Sequence, residues 1–483
     1  MVGSRDAGDR NRLTRLPPQG AIVAVLALAG LCASFMYTLV VPIQAQLPEL
    51  LNASREDTAW VVTATLLTAA VVTPISGRLG DMYGKRRVVI ALLVCLIIGS
   101  VIAALSTHIV GIIVGRALQG AVTGVVPLGI AIMRDVVHRD RLGTSVALIS
   151  ATMGVGGALG LPLSALVTEA ADWHVLFWIA AGLGVAVLAL VVWIVPVSVL
   201  RTRGSFDYIG ALGLAVGLTG ILLAISRGNE WGWTSAPTLG CGFGGIAVLL
   251  VWGWYQLRAA EPLLDLRVAA RRPVLLTNLA SIGMGFALFG SNIIFPQLLE
   301  LPVGSGAGLG LSLIGAALVV MPAGLVMMVI SPLAGRLERT IGPRALLTGG
   351  AIALVIAYTF VYFFSDEVWH ILLANILVGI GIGLGFAGMP MLIMRAVPAN
   401  ETGASNGLNA LFRSVGTSAA AAVLGAVLAA MSQSYGGIPV PTAAAFQACF
   451  LLAGGAAVVA LVLSLLIPRH GPPVDHASIP DGR

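Results

Sequence analysis

Long apolar stretches alternate with short polar segments along the whole chain of 483 residues. A helix needs about 20 consecutive apolar residues to cross a bilayer. Fourteen stretches reach or approach that length, near residues 20–42, 59–79, 88–106, 108–131, 142–168, 173–196, 207–226, 236–258, 273–299, 308–333, 345–364, 368–394, 402–430 and 443–467. The pattern predicts an all-α polytopic membrane protein with fourteen transmembrane helices.

The composition supports a membrane protein. Hydrophobic residues make up 58% of the chain and charged residues 10%, and the mean hydropathy is +0.98. Soluble proteins carry about 25% charged residues. The first apolar run exceeds the ~7–15 residues of a secretory signal core, so we interpret it as the first span. The four cysteines lie in apolar stretches without metal-ligand spacing, and we expect no metal or cofactor.

The distribution of arginine predicts the topology, because basic loops are retained in the cytoplasm. The opposite loops hold only Arg55 and Arg227, together with acids such as Glu49 and Asp366. Alternate loops and the tails hold nearly all the other arginines, among them Arg10, Arg15, Arg134, Arg139, Arg141, Arg201, Arg203, Arg258, Arg267, Arg271, Arg336, Arg344, Arg395 and Arg469. We therefore expect both termini to be cytoplasmic. The net charge of +6 is then a topology signal, and no nucleic-acid partner is expected.

One short basic segment, Gly77–Arg87, joins the second and third apolar stretches. It reads Gly-Arg-Leu-Gly-Asp-Met-Tyr-Gly-Lys-Arg-Arg and contains the chain's only lysine, Lys85. A turn this short connects two antiparallel membrane helices on one side of the bilayer. Asp81 and Lys85 are four residues apart, so one helical turn would bring their side chains together.

The chain also contains an internal repeat. Ile-Met-Arg-Asp-Val around residue 132 recurs as Ile-Met-Arg-Ala-Val around residue 393, and several residues between 143 and 156 recur at a constant offset of 260. Repeats of this kind build transporters whose substrate site lies at mid-membrane between the halves. The predicted domains are a tail (1–19), a six-helix bundle (20–196), an inserted helix pair (197–272), a second six-helix bundle (273–467) and a second tail (468–483).

The basic turn, the repeat and the six-plus-two-plus-six arrangement resemble the major facilitator superfamily. Within it, they resemble the fourteen-span drug:proton antiporter branch, the EmrB/QacA-like exporters. The resemblance implies a secondary transporter rather than an enzyme, in a cell membrane such as the bacterial cytoplasmic membrane. The partners it implies are a small-molecule substrate, protons and the lipid bilayer, with the protein acting as a monomer.

The resemblance also implies a cytoplasmic gate at the basic turn. In the family, the acid at the Asp81 position is held by a basic neighbour and by an acid at the end of span four, here Asp135. The cluster docks on the helix that begins near Thr402, and a helix amino terminus attracts carboxylates. The alternative is that these charges only anchor the loop among lipid headgroups. The gate candidates are Gly77, Asp81, Gly84, Lys85, Arg86 and Asp135.

The second half is expected to lack this gate. Arg339 stands at the position that matches Asp81, Pro343 at that of Lys85, and Ala396 at that of Asp135. An interacting set would be lost together, so we expect the gate to belong to the first half alone.

Proton coupling is harder to assign. Arg116 lies roughly 12 Å inside span four, and its Arg-x-x-Gln-Gly pattern matches a family motif whose arginine is thought to assist proton transfer. The alternative is an arginine bonded to backbone carbonyls that fixes helix packing. The span-one aspartate of many such exporters is absent, since Met36-Tyr37-Thr38 stands there. No acid lies in the centre of a span. The relay candidates are Arg116, Asp135, Asp81 and Glu300.

Two further groups of residues have an expected role. Gly156, Gly160 and Pro162 belong to a glycine-rich stretch similar to the family's antiporter motif, although Leu161 separates its Gly-Pro pair, and small residues favour close helix packing. Polar residues within spans are candidates for the substrate cavity or, equally, for interhelical hydrogen bonds. These are Tyr37, Thr38, Gln44, Thr65, Gln119, Asn278, Asn292, Asn409 and Arg413.

The predicted function is proton-coupled efflux of hydrophobic or amphipathic small molecules. Two buried arginines and no buried acid favour neutral, amphipathic or anionic substrates over cationic ones. The alternatives within the same fold are a dedicated exporter of one natural product or lipid, and a facilitator without proton coupling. An intramembrane enzyme would need converging acids, bases or nucleophiles, and the spans offer none.

Overall fold

The computed structural model describes residues 18–468, apart from 41, 42, 44, 45, 198–201, 203 and 437. Residues 1–17 and 469–483 of the predicted tails, and Gln44, therefore lie outside the described residues. The helices are α1 (Gln19–Thr38), α2 (Leu47–Leu50), α3 (Arg55–Leu79), α4 (Lys85–Leu105), α5 (Ile109–Gly120), α6 (Val125–Val136), α7 (Arg139–Ala170), α8 (His174–Ile194), α9 (Tyr208–Trp231), α10 (Ala236–Gln256), α11 (Leu266–Ala269), α12 (Arg272–Glu300), α13 (Leu313–Phe363), α14 (Val368–Ala396), α15 (Thr402–Ala430) and α16 (Ala443–Leu466).

Most of these helices are long enough to cross a membrane. Within the described part of the chain, eleven helical stretches have the necessary length and apolarity, or twelve if the bent helix over 140–168 is counted. Two of the eleven, Asp57–Leu105 and Leu313–Phe363, contain 49 and 51 residues, more than twice the ~20 that one crossing requires. The all-helical membrane architecture is confirmed, and the number fourteen remains a prediction.

Both long stretches contain a glycine whose backbone interrupts regular helix geometry. Gly84 has a φ of 107° and Gly342 a φ of 79°, values that residues other than glycine rarely adopt. Gly84 ends the single π-helical turn Gly80–Gly84 that joins α3 to α4. Gly342 separates α13 into two helical parts.

Polar caps fix where several helices begin. Ser54, Asp207, Ser235, Ser312 and Thr442 each accept a hydrogen bond from a backbone N–H in the first turn of the helix that follows. Such caps satisfy amide groups that have no partner within the helix. Span four is nearly continuous, because a short 3₁₀ turn over residues 121–124 joins α5 to α6.

The apolar core falls into separate clusters. The first draws its buried residues from 22–195, with Met391 and Met394 added. The second draws on residues 280–467. A third joins α9 to α3 and α15 through leucines such as Leu214, Leu218 and Leu408. The α9–α10 pair thus packs against helices from both repeats.

One end of the helix bundle collects most of the charged contacts, and we call it the basic side. It holds residues 80–84, 134–141, 335–344 and 395–403. Gln19, at the start of α1, lies here, because its Oε1 accepts a bond from the His138 N–H at 3.5 Å. The end of α16 also lies here, because Arg344 donates to the Ser464 carbonyl at 3.3 Å.

A small antiparallel hairpin follows α15 on the opposite side. Ser432–Tyr435 pairs with Ile438–Pro441, a feature that the apolar pattern does not predict. Gln433 donates from Nε2 to the Ser305 carbonyl at 2.7 Å. The hairpin is thereby attached to the loop that follows α12.

Candidate functional site

Two charged side chains of the basic turn between α3 and α4 are buried. Asp81 is 1% exposed and Lys85 is 0% exposed. The positive φ of Gly84 reverses the chain just before Lys85 and starts α4 there. A loop anchored only in headgroups would leave these charges in contact with water and lipid phosphates. Their burial requires partners within the protein.

Lys85 and Asp135 form the central ion pair of this site. The Lys85 Nζ lies 2.6 Å from the Asp135 Oδ2, and the side chains are 0% and 6% exposed. Asp135 is supplied by the last turn of α6, so the pair joins the turn to span four. Removing one member of a buried pair costs about 3–5 kcal/mol, because the other charge is left without compensation.

Asp81 reaches across to the other repeat. Its Oδ2 accepts a bond from the Ala404 N–H at 2.8 Å, and its Oδ1 accepts one from the Gly403 N–H at 3.3 Å. These amides belong to the first turn of α15, where the free N–H groups and the helix dipole favour a carboxylate. Burial nevertheless raises the pKa of Asp81 to about 7, against the opposing effects of the two amides, Lys85 and Arg78.

Two glycines allow the backbones of the repeats to touch beside this contact. A Cβ atom on Gly77 would lie 2.4 Å from the Gly403 carbonyl oxygen. α3 and α15 can therefore meet at this point only while position 77 has no side chain. The neighbouring Thr202 donates its N–H to the Asp81 carbonyl at 2.7 Å and its hydroxyl to the Asn400 carbonyl at 2.9 Å.

Arg134 adds a second link between α6 and the start of α15. It donates from Nη1 to the Thr402 hydroxyl at 2.6 Å and from Nη2 to the Val397 carbonyl at 3.1 Å. Arg134 is not among the predicted gate residues. Its position next to Asp135 in the sequence would have indicated it. Arg86, which was selected, instead donates to the Val192 carbonyl of α8 and so stays within the first repeat.

The second repeat carries ion pairs that the sequence analysis missed. Glu338, whose side chain is 5% exposed, pairs with Arg395. Arg339 lies 3.1 Å from Asp140 of the first repeat, measured between Nη2 and Oδ1. That the Asp81 gate belongs to the first half alone stays a prediction, and the second half carries a different buried acid, Glu338, paired with Arg395. Glu338 stands one residue before the position that matches Asp81. Comparison of the two repeats therefore does not pair it with Asp81.

A second glycine contact accompanies these pairs. A Cβ atom on Gly335 would lie 2.5 Å from the Thr144 Cα and 2.6 Å from the Gly143 carbonyl oxygen. Gly335 and Gly143 correspond in the repeat to Gly77 and Gly403. The basic side is therefore closed at two related places, between α3 and α15 and between α13 and α7.

Arg116 is buried within span four and bonded to backbone carbonyls. It donates to the Met36 carbonyl at 2.8 Å and to the Gln119 side chain at 2.9 Å, and the Gln119 amide donates to Ser100 at 2.8 Å. Met36 lies in the last turn of α1, where carbonyls lack helical partners. These contacts support the alternative in which Arg116 bonds to backbone carbonyls and fixes helix packing. Thr65 joins the same network by donating to the Arg116 carbonyl at 3.2 Å.

The remaining cavity candidates do not converge on one place. Asn409 donates to Asn278 at 3.0 Å, and both side chains are buried. Arg413 is half-buried and stacks over the Phe386 ring at 4.9 Å. Asn292 is exposed. The side chains of Tyr37 and Thr38, and the whole of Gln44, lie outside the described residues.

The glycine motif of α7 and the relay candidate Glu300 lie in different parts of the molecule. A Cβ atom on Gly156 would lie 2.4 Å from the Ser34 Cβ, so α7 and α1 pack closely there, as the glycine motif predicts. Gly160 is buried, and Pro162 lies inside α7. Glu300 is the exposed last residue of α12 and lies at the opposite side from Asp81 and Asp135.

The profile of the Major Facilitator Superfamily matches residues 26–421. The chain belongs to this superfamily. Its members are membrane transporters, and membership accounts for the repeated helical halves and for the buried turn between α3 and α4.

Similar proteins include an uncharacterised transporter and proteins named for drug resistance. An uncharacterised MFS-type transporter of Mycobacterium tuberculosis is 28% identical over 433 residues, which are 87% of this chain and 62% of the relative. The chain thus spans less than two thirds of that relative. The lincomycin resistance protein LmrB of Listeria monocytogenes is 30% identical over 70% of this chain and 71% of its own. The multidrug resistance protein Stp of Mycobacterium tuberculosis is 25% identical over 83% and 74%.

Solved superfamily structures share the fold. The human organic anion transporter MFSD10 aligns with a TM-score of 0.64 at 16% identity, over 93% of this chain and 100% of that one. The proton:xylose symporter XylE aligns with a TM-score of 0.64 at 14% identity, over 93% and 96%. At these identities the likeness concerns the fold alone.

Proposed function

We propose that this superfamily member is a proton-linked efflux transporter that exports hydrophobic or amphipathic small molecules by alternating access. One observation carries the proposal. The Asp81 carboxylate of the first repeat accepts the N–H groups of Gly403 and Ala404 in the second, a contact that would break when the two repeats part on the basic side. Alternating access needs such a two-state element. The resistance functions in the names of similar proteins support export of drug-like compounds.

We further propose the fourteen-span arrangement of EmrB/QacA-like exporters. Dividing the stretches of 49 and 51 residues at Gly84 and Gly342, and counting the bent α7, gives fourteen crossings. The two separate apolar clusters support bundles over 20–196 and 273–467. The start of α1 and the end of α16 share the basic side, which supports cytoplasmic tails in a bacterial membrane. The monomer is the proposed working unit.

The pKa of Asp81 gives the proposed proton coupling a direction. In the closed state this pKa is raised from 3.8 to about 7. When the contact opens and water reaches the carboxyl, the pKa returns toward its ordinary value. At a pH between 3.8 and about 7, opening of the basic side therefore releases a proton there. That sign is the one needed for proton import in exchange for substrate export.

Proteoliposome transport tests the coupling. The flux of a neutral hydrophobic dye is measured with and without an imposed pH gradient for the wild type, Asp81→Asn and Asp366→Asn. Asp366 is exposed on the opposite side, so Asp366→Asn is the matched control. We expect gradient-driven flux in the wild type and the control and its loss in Asp81→Asn, with monodisperse protein in all three. Wild-type flux that ignores the gradient would indicate a facilitator.

A resistance panel tests the substrate range. Expression in a drug-sensitive host should confer resistance to several unrelated neutral or anionic compounds. Resistance to a single compound would favour the dedicated exporter. Preferred export of quaternary ammonium dyes would contradict the electrostatic argument from Arg116 and Arg413, because a cation gains nothing beside buried cations.

A further inference from the structure

An apolar cavity of about 450 Å³ lies between the α9–α10 pair and the second repeat. One wall is formed by residues of the inserted pair such as Leu218, Ile221 and Trp252. The other wall is formed by α12 and α15, through Ile282, Leu411 and Val415. Among the described lining residues, only Asn278 carries a side-chain amide. The volume lies within the range of small-molecule sites, about 300–1,000 Å³.

The cavity lies in the basic-side half of the membrane. α9, α12 and α15 all begin at the basic side, at Tyr208, Arg272 and Thr402. Leu218, Asn278 and Leu411 follow those starts by six to ten residues, which places the cavity roughly 9–15 Å along the helices. The apolar core of a bilayer is about 30 Å thick. The surface outside this part of the protein is therefore the acyl-chain region of one leaflet.

Burial falls from one end of the cavity to the other. Leu214 and Leu222 are each 2% exposed, whereas Leu275 is 39% exposed and the nearby Ala270 is also exposed. The exposed rim thus lies near residues 270–275, at the junction of α11 and α12. Of the lining residues, Leu275 and Ala270 are the exposed ones, so the rim is the part of the cavity open to the surroundings.

The amide of Asn278 stands between the cavity and the polar residues of α15. Its Oδ1 accepts the Asn409 bond at 3.0 Å. Arg413 lies four residues after Asn409 and so follows it on the same face of the helix. The leucines and Val415 that line the cavity occupy the adjacent face of α15. The Asn278–Asn409 bond therefore separates an apolar compartment from a half-buried arginine.

We propose that this cavity is a lateral access site through which substrates reach the centre of the transporter from the basic-side leaflet. The inference rests on the proposed function and deepens it. The substrates are amphiphiles with an apolar part that fits between α9–α10 and α15, and with a neutral or anionic group that Asn278, Asn409 and Arg413 can bind. The inserted helix pair supplies one wall of the route.

The free energy of transfer from the leaflet into the cavity favours passage of a molecule over its tight binding. Lipid chains are as apolar as leucine, so transfer from the leaflet into the cavity carries little hydrophobic gain. Shape and the amide pair then decide which molecules pass, and a bound molecule can move on. A charged group with no counter-charge pays a desolvation cost at this depth, which excludes compounds that Arg413 cannot neutralise.

Photolabelling in proteoliposomes of the full chain tests the site. The probe is a neutral dodecyl amphiphile that carries a diazirine in its chain. We expect cross-links at Ile221, Trp252 and Val415, and their displacement by an excess of an exported neutral dye. The variants Val415→Trp and Ile221→Trp fill opposite walls and should lower cavity labelling by about tenfold or more, equivalent to 1.4 kcal/mol of binding. Leu212→Trp is the control, since Leu212 is 66% exposed on α9.

Two results would overturn the proposal. Cross-links confined to lipid-facing residues such as Leu212 and Leu250 would mean that the probe does not enter. Cavity labelling that the exported dye does not displace would mean that a resident lipid occupies the space. Both results come from the wild type and do not depend on the folding of a variant. Dye export is measured in the same vesicles, so its absence would fail the proposed function, whereas export without displacement would fail only the access site.

Discussion

Asp81 loses nearly all contact with water when it accepts the amides of Gly403 and Ala404. Two amides, a helix terminus and Lys85 favour its ionised form, but the desolvation of a carboxylate is large enough to exceed them. The result is a pKa of about 7 in the closed state. The neighbouring Lys85, which is also buried, lies 2.6 Å from the Asp135 carboxylate.

The first prediction concerns the pH dependence of closure. The closed state raises the pKa of Asp81, so it binds more protons than an open, hydrated state, and closure should weaken as pH rises from 3.8 to about 7. The distance between spin labels on Tyr83 and Ile341, both exposed, reports closure. We expect Asp81→Asn to remove the pH response over this window. An unchanged response in Asp81→Asn would assign the titration to another group.

The second prediction concerns the Lys85–Asp135 pair. Lys85→Met or Asp135→Leu alone should lower the free energy of unfolding by about 3–5 kcal/mol, because each leaves a buried charge. Lys85→Met combined with Asp135→Leu should recover most of that loss, because apolar replacements of buried pairs are often neutral. Denaturant unfolding in detergent measures the cycle.

The exposed Arg339–Asp140 pair, which joins α13 to α7, supplies the control for that cycle. Arg339 and Asp140 are 58% and 61% exposed, and exposed pairs contribute only about 0–1 kcal/mol. Arg339→Ala should therefore change the unfolding free energy far less than Lys85→Met. Equal losses in the two variants would show that burial does not set the strength of the Lys85 pair.

At the scale of elements, close helix packing on the basic side depends on paired glycines. α3 meets α15 at Gly77 and Gly403, and α13 meets α7 at Gly335 and Gly143. Small residues permit this approach of backbones. The same glycine positions recur in the two repeats, so the two contacts are equivalent within the repeat.

The third prediction tests the α3–α15 contact. Gly77→Ala places a methyl group 2.4 Å from the Gly403 carbonyl oxygen, and the strain of overpacking, about 1–3 kcal/mol, should shift the basic side toward the open state. The Tyr83–Ile341 label distance should lengthen. Gly182→Ala is the control, since nothing lies within 4 Å of its added Cβ. Equal distances in both variants would argue that α3 and α15 do not meet in solution.

Helices are well predicted from the sequence, whereas contacts between them are not. The predicted span 443–467 corresponds to Ala443–Leu466 and the span 236–258 to Ala236–Gln256, because long apolar runs leave few alternatives. The apolar pattern predicts a first span that reaches residue 42, but α1 ends at Thr38. Apolarity alone does not reveal where a helix ends. The pairing of Asp81 with residues more than 320 positions away came from the family resemblance. Glu338 and Arg134 were missed because periodicity carries no information on partners.

At the scale of the whole molecule, the inserted pair is attached to the first repeat at both ends of α9. On the basic side, Leu214 and Leu218 pack in the cluster that includes Ala70 of α3. On the opposite side, the buried Arg227 guanidinium lies 4.7 Å from the Trp60 ring centroid and 2.5 Å from Glu230. The Arg227–Trp60 contact thus fastens the end of α9 to α3, whereas the leucine cluster also includes Leu408 and Leu411 of α15.

The fourth prediction tests this attachment. Trp60→Ala removes a cation–π contact worth about 2 kcal/mol when desolvated and should lower the thermal unfolding temperature of the purified protein. Trp193→Ala is the control, because Trp193 is 80% exposed and its loss should change the temperature little. Basic-side closure, read by the spin labels, should stay unchanged in both. Loss of closure in Trp60→Ala would mean that α9 also governs the gate.

The two edges of the basic side differ in their access to dissolved ions. Salt weakens interactions between exposed charges, with a screening length of about 8 Å at physiological ionic strength, and Arg339 and Asp140 are open to it. The buried carboxylate on the α15 amides is shielded. Raising the salt concentration should therefore loosen the α7–α13 edge first, so that the Asp81 contact with α15 is the last link on the basic side to break.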